Sequence, residues 1–455
     1  MSAPLSLPAH AKALLILGLP LIGSHVAQLL LQVTNTVMLG WYGIEELAAG
    51  VLGVSTFFIL FLMGSGMAHA VMPLAAASLA RGDDTQVRRD TRMGMWLSIG
   101  YGIMILPVFF YAEPLLLALG QKPEIAALAQ DFMRITGLGM IPALLIMTLK
   151  SFLAAQHRAQ VALWVTVVST VANGFLNWAL IFGNWGAPEL GLKGAAISTV
   201  VVQVLGLVLI MLWIGSRAEY RRFRLFQRFW RPDPAAMRQV WSLGWPIGLT
   251  SLMEGGLFHA AALMMGWIGT VELAAHGIAL EITALTFMIH VGLSNAATVR
   301  AGHADGAKDA RDLRDGAKVA VICSQCIGLV IISVFLSIPD VLIRLFLDAA
   351  NPRADQIVEY GSMLLRFAAL FQVADAAQVM ALGLLRGIRD TRVPLIVAII
   401  CYWGIGIPTS YVLGFVVGLG GAGIWIGLVV GLSLTAIALL LRFNARAPRP
   451  LTSAV

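Results

Sequence analysis

Apolar runs recur along the whole chain, at roughly 13–39, 47–73, 93–116, 126–150, 161–182 and 192–214. After a polar, basic stretch they return at 240–266, 273–299, 316–338, 358–385, 394–416 and 421–442. Each exceeds about 20 residues, which as a helix rising about 1.5 Å per residue crosses a hydrocarbon core of about 30 Å. None shows the alternation of a membrane strand, so a helix is predicted for each. The pattern predicts an all-α integral membrane fold of twelve transmembrane helices.

The second six runs echo the first. Residues 38–49, MLGWYGIEELAA, lie over 264–275, MMGWIGTVELAA, at an offset of 226 with eight of twelve positions identical. Leu17, Gly18 and Pro20 fall in the same way on Leu243, Gly244 and Pro246. Arg134 matches Arg366 at a shifted offset of 232, and Gly191-Leu192 matches Gly418-Leu419. Six spans is an even number, so both copies start from the same membrane face. Two six-helix bundles related by a parallel repeat, a pseudo-two-fold along the membrane normal, are expected. The boundaries fall at 12–215 for the N-terminal bundle, 216–239 for a basic linker and 240–443 for the C-terminal bundle.

Composition agrees: 59% of residues are hydrophobic and 12% charged, with mean hydropathy +0.84. A net charge of +7 would suit nucleic acid until the charges are mapped. With the N-terminus cytoplasmic, 25 of the 31 Lys and Arg fall in inside segments, as the positive-inside rule describes. Both termini are therefore expected in the cytoplasm, and the linker SRAEYRRFRLFQRFWRPDPAAMRQ is expected against anionic lipid rather than nucleic acid. The first apolar run is too long for a secretory signal core. Cys323, Cys326 and Cys401 sit inside apolar runs, which argues against a disulfide framework.

Enzymatic chemistry has no foothold. The GxGxxG at 418–423 opens a membrane span rather than a βαβ unit. No Walker A, HExxH, GxSxG or zinc spacing is present, so neither enzyme activity nor a bound cofactor is expected. Acids inside the spans are the conspicuous chemistry: Glu254, Glu281 and Asp375. A carboxylate at bilayer depth costs about 2.5–3.5 kcal/mol on insertion scales and needs a reason. A carboxylate withdrawn from water can carry a proton, and a facing pair can hold a hard cation. Pairing with an arginine such as Arg366 is the structural alternative. Gly255-Gly256 beside Glu254 would either bend the helix and expose carbonyls or allow close packing. Gln28 stands where the repeat places Glu254. Asn35, Asn173 and Asn177 are milder; the last two share a helix face and would line a cleft or bond neighbouring helices.

Three stretches, MLGWYGIEELAA, ELAAHGIALEITALTFM (272–288) and DAAQVMALGLLRGIRDTRVP (375–394), resemble the multidrug and toxic compound extrusion (MATE) transporters, in particular their NorM-type bacterial branch. The resemblance covers about residues 12–443. It implies an inner-membrane, cation-coupled antiporter, driven by H+ or Na+, that exports amphipathic organic cations by alternating access; a monomer is expected. In such proteins an acid of span seven and one of span ten form the coupling-cation site. Glu254 and Asp375 match those positions, Gln378 matches the glutamine after the span-ten acid, and Asn173 and Asn177 match the span-five polar pair. Asn35 stands where the family often carries aspartate, and Glu281 where a neutral residue is expected; the latter would add a third acid to the site. A lipid-linked or other solute flippase of the same superfamily is the alternative, and would want cations rather than acids in its cleft.

Overall fold

A computed structural model describes residues 5–227, 229–347 and 353–448. Arg228 of the linker, at one of the basic positions noted above, lies outside the described residues. Twelve helices are long and apolar enough to cross a membrane. They are α1 (Leu7–Tyr42), α2 (Ile44–Ala80), α3 (Asp84–Phe110), α4 (Pro123–Ala155), α5 (Ala159–Phe182), α6 (Gly191–Ser216), α7 (Pro234–Ile268), α8 (Thr270–Ala307), α9 (Ala310–Ser337), α10 (Ala354–Gly387), α11 (Arg392–Val416) and α12 (Gly420–Arg446). Large apolar side chains stand exposed on them, Val330 at 65% and Leu212 at 64%. Water penalises such surface; hydrocarbon solvates it.

The chain divides into two compact units, residues 23–248 and residues 1–22 with 249–455. These units differ from the sequence division at 12–215 and 240–443 by exchanging the opening turns of the first and seventh spans. The breaks fall inside α1 and α7, two residues after Pro20 and Pro246. A proline withholds an amide hydrogen and crowds the carbonyl four residues back, so each helix is weakest there. Each unit thus takes the opening turns of one helix and the body of the other.

Within each unit the fourth span of the sequence repeat is the most enclosed: 83% of the apolar window of α10 is buried and 61% of that of α4, against at most 50% elsewhere. The repeat reappears in the backbone. Left-handed residues close matching turns at Gly82 and Lys308, His157 and Arg389, and Gly191 and Gly418.

Small residues let helices touch. On α12, Gly423, Gly427 and Gly431 recur every fourth position, forming one bare ridge. A Cβ at Gly427 would lie 2.5 Å from Ser410 Cα, and one at Gly423 2.5 Å from the Leu413 carbonyl carbon. The facing helix, α11, is loosely wound, with π-helical turns at Ile399–Gly406 and Val412–Val416. Pro408 stands between them, and its missing amide hydrogen disfavours regular α winding.

Candidate functional site

In the unit of residues 1–22 and 249–455, α7, α10, α11 and α12 bring a set of polar groups together. Asp375 is fully buried on the enclosed helix α10, and neither of its carboxylate oxygens has a hydrogen-bond partner. One turn on, Gln378 is also fully buried; its Nε2 donates to Glu254 Oε1 at 3.1 Å, and its own Oε1 has no partner. Glu254 and Asp375 are close enough to interact electrostatically. Among the described residues neither acid forms an ion pair, and Arg366 is exposed, so pairing with that arginine is not what holds them.

Three further residues belong to this site that sequence reasoning missed. Tyr402, wholly buried in the loose turns of α11, lies within electrostatic reach of both acids. Arg386, near the C-terminal end of α10, lies within reach of Glu254. Trp403 donates from Nε1 to the Met253 carbonyl at 3.1 Å, gripping α7 one residue before the acid. Gly256 makes room for that ring: a Cβ there would lie 2.7 Å from Trp403 Cζ2. Close packing therefore accounts for Gly256, whereas the Gly255 carbonyl bonds His259 Nδ1 at 2.8 Å. A tyrosine or tryptophan in an apolar run carries no periodic signal, which is why these were not visible in the sequence.

A buried chain flanks Asp375. Gln372 Nε2 meets His290 Nε2 at 2.7 Å, and His290 Nδ1 meets Ser324 Oγ at 2.9 Å. An amide nitrogen can only donate, so His290 accepts at Nε2 and donates from Nδ1. The network ties α8 and α9 to α10 on either side of the acid.

Glu281 does not join the site. It is exposed on α8, in line with Gly277 and Leu285 rather than with the buried face of Ala279, Ile282 and Thr283. The helical period that buries those three leaves position 281 on the exposed face.

The other unit gathers the three asparagines. Asn177 Nδ2 donates to Asn35 Oδ1 at 2.6 Å and to Asn173 Oδ1 at 3.2 Å. Ser198 donates to Asn177 Oδ1, and Asn35 Nδ2 reaches Thr199 Oγ1 at 3.4 Å. Asn173 and Asn177 are fully buried and Asn35 half-buried, and these bonds join α1, α5 and α6. Lys150 lies within α4 and donates to Thr166 Oγ1 at 2.7 Å and Ser24 Oγ at 3.3 Å.

No group of three or more His, Cys, Asp or Glu that could hold a metal ion occurs among the described residues. The site is built of two carboxylates and an amide, with a phenol and a guanidinium nearby.

Twelve spans in two repeated sets of six, with an unpaired acid on the most enclosed helix, have the architecture of a membrane transporter. The chain belongs to the MatE family, whose model matches residues 20–179 and 246–412, once in each half. It is 43% identical over 450 residues to the probable multidrug resistance protein NorM of Agrobacterium fabrum (strain C58), covering 98% of this chain and 96% of that one. It is 44% identical over 438 residues to the probable multidrug resistance protein NorM of Rhizobium meliloti (strain 1021), covering 96% and 94%. Its fold matches a solved structure described as the outward-facing conformation of a multidrug resistance MATE family transporter of the MOP superfamily, with TM-score 0.87, 21% identity and 96% of each chain covered.

Proposed function

We propose that this protein is a cation-coupled multidrug efflux antiporter of the bacterial inner membrane, with both termini cytoplasmic. Protons or sodium ions run inward and amphipathic organic cations leave by alternating access. The observation that carries this is Asp375: a carboxylate on the most enclosed helix with neither oxygen satisfied, beside a second acid, Glu254. A charge so placed costs several kcal/mol unless a proton or cation neutralises it. Relatives named as probable multidrug resistance proteins at above 40% identity support drugs as the cargo, and the acids of the site favour cationic ones.

Glu254 and Asp375 hold the coupling ion, and Gln378 fixes the Glu254 carboxylate. Ion and drug oppose each other, because a bound ion removes the negative charge that favours an organic cation. That opposition is a coupling free energy and is reciprocal. One chain suffices.

The test is dye-cation transport into or out of proteoliposomes with pH and sodium gradients imposed independently. One gradient should drive counter-movement of the dye in wild type, and neither should in Glu254→Gln or Asp375→Asn. Undiminished ion-driven movement in both variants would overturn the assignment.

A further inference from the structure

A second charged site lies in the unit of residues 23–248, and the transport reading does not use it. The opening turns of α3 and the linker ahead of α7 line an open cavity of about 640 Å³. Arg88, Arg89 and Arg92 line it from α3, and Arg224 and Arg231 from the linker; Asp233 is the one acid on its wall. That acid is taken, since Arg89 donates to it. Two other acids lie close by without lining it: Asp90 accepts at Oδ1 from Gln86 Nε2 at 2.7 Å while its Oδ2 has no partner, and Asp84 pairs with Arg222 at 3.6 Å. Arg88 Nε is buried with no hydrogen-bond partner. The wall therefore carries four more positive than negative charges.

The linker is fastened to α3 beside the cavity: Trp96 stacks on Phe229 at 5.8 Å and donates to its carbonyl at 2.8 Å. Phe223 and Leu225 are buried on either side of Arg224. Arg224 itself is held at φ 46°, a left-handed conformation that an L-residue adopts at a cost. The linker thus turns tightly between two apolar anchors to present this arginine.

We propose that this cavity binds the phosphate headgroup of an anionic phospholipid, and that its preferred ligand carries two phosphates, as lipids of the cardiolipin class do. Guanidinium forks match phosphate oxygens two at a time. A volume of about 640 Å³ falls within the roughly 300–1,000 Å³ of ordinary ligand pockets. Four excess charges exceed what one phosphate neutralises. A lipid fits better than a dissolved anion because the cavity sits where the apolar runs of α3 and α7 begin. Trp230, 73% exposed next to Arg231, suits the membrane interface, where tryptophan is favoured.

The test uses the full-length protein in detergent, with binding followed by native mass spectrometry and by thermal unfolding. Cardiolipin should bind and raise the unfolding temperature, phosphatidylglycerol should bind at least about tenfold more weakly, and inorganic pyrophosphate should have no comparable effect. Arg88→Gln with Arg231→Gln should lose at least about tenfold in cardiolipin affinity. A variant that binds cardiolipin as wild type does overturns the site. Pyrophosphate reproducing the whole effect overturns the lipid and makes this a site for soluble polyanions. A second measurement, independent of whether the variant folds, is salt: from roughly 50 to 500 mM, cardiolipin binding to wild type should weaken about tenfold or more, and salt-insensitive binding overturns the proposal.

Discussion

Gln378 donates from Nε2 to Glu254 Oε1 at 3.1 Å, so an amide of α10 holds an acid of α7 one helical turn from the buried Asp375. The amide points its donors at one carboxylate and leaves its oxygen unbonded. Gln378→Met keeps the volume and removes both functions. Losing one hydrogen bond to a charged acceptor costs about 1.5–3 kcal/mol. Ion-driven efflux should fall about tenfold with the protein still folded and membrane-inserted. Efflux at the wild-type rate would show that Glu254 needs no such partner.

Asp375→Asn separates a functional acid from a structural one. A structural carboxylate would have bonds to lose, and its removal would destabilise the fold. Asp375 has none, so the amide should leave the unfolding temperature unchanged or raise it while coupled transport drops to background. Loss of both stability and transport would place the residue in the scaffold instead.

Asn177 is the hub of the amide network, bonded to Asn35, Asn173 and Ser198. Asn177→Ala should destabilise its unit by about 1–2 kcal/mol, since hydrogen bonds between membrane helices average well under 2 kcal/mol. Transport per folded molecule should stay near wild type, and the exposed Glu281→Gln should behave likewise in transport. A specific loss of efflux at unchanged stability in either variant would return these positions to the site.

Much of this arrangement was visible in residue order. The spans follow from unbroken apolar runs, and Pro20 and Pro246, found as repeat partners, mark where the contact units divide. Glu254 and Asp375 stood out because charged groups in apolar runs are costly, and Gln378 came only with the family resemblance. What residue order hides is which face a lone residue takes. Glu281 looked like Glu254 in sequence and lies on the exposed face. Tyr402 sits in loose π-helical turns, where the 3.6-residue period does not apply. Ser198 and Arg386 became meaningful only once α5 met α6 and α10 met α7, contacts that no local pattern specifies.

Gly427 lets α12 lie against α11 at Ser410, whose hydroxyl bonds the Ile424 carbonyl at 3.0 Å. A methyl group at 427 would have to displace backbone rather than a flexible side-chain tip. Gly427→Ala should therefore cost about 1–3 kcal/mol, in the range for forced overpacking, against the slight gain that alanine brings at an open helical site. Gly100, with open space around its missing Cβ, is the control: Gly100→Ala should be neutral or stabilising. Thermal unfolding in detergent compares the two, and equal effects would refute the close-contact account.

Asp233 precedes α7 and does two jobs: its carboxylate accepts from the Ala236 amide at 3.2 Å, capping the helix, and from Arg89, tying the linker to α3. The Arg89 hydrogen bond is the largest reason that its carboxyl sits below the usual carboxylate range. With the folded value depressed, the attachment is at full strength above the unfolded value of about 3.9 and is lost as pH falls through the folded one. Arg89 is 40% and Asp233 26% exposed, so solvent screening limits the ion pair itself to about 1 kcal/mol or less. Limited proteolysis of the linker should be flat from neutral pH down to about 5 and should accelerate only below about 4. Asp233→Asn should raise the cleavage rate at neutral pH and remove most of that acid dependence. Acceleration of wild-type cleavage already at pH 6, where aspartate is ionised in both states, would mean that a different group fastens the linker.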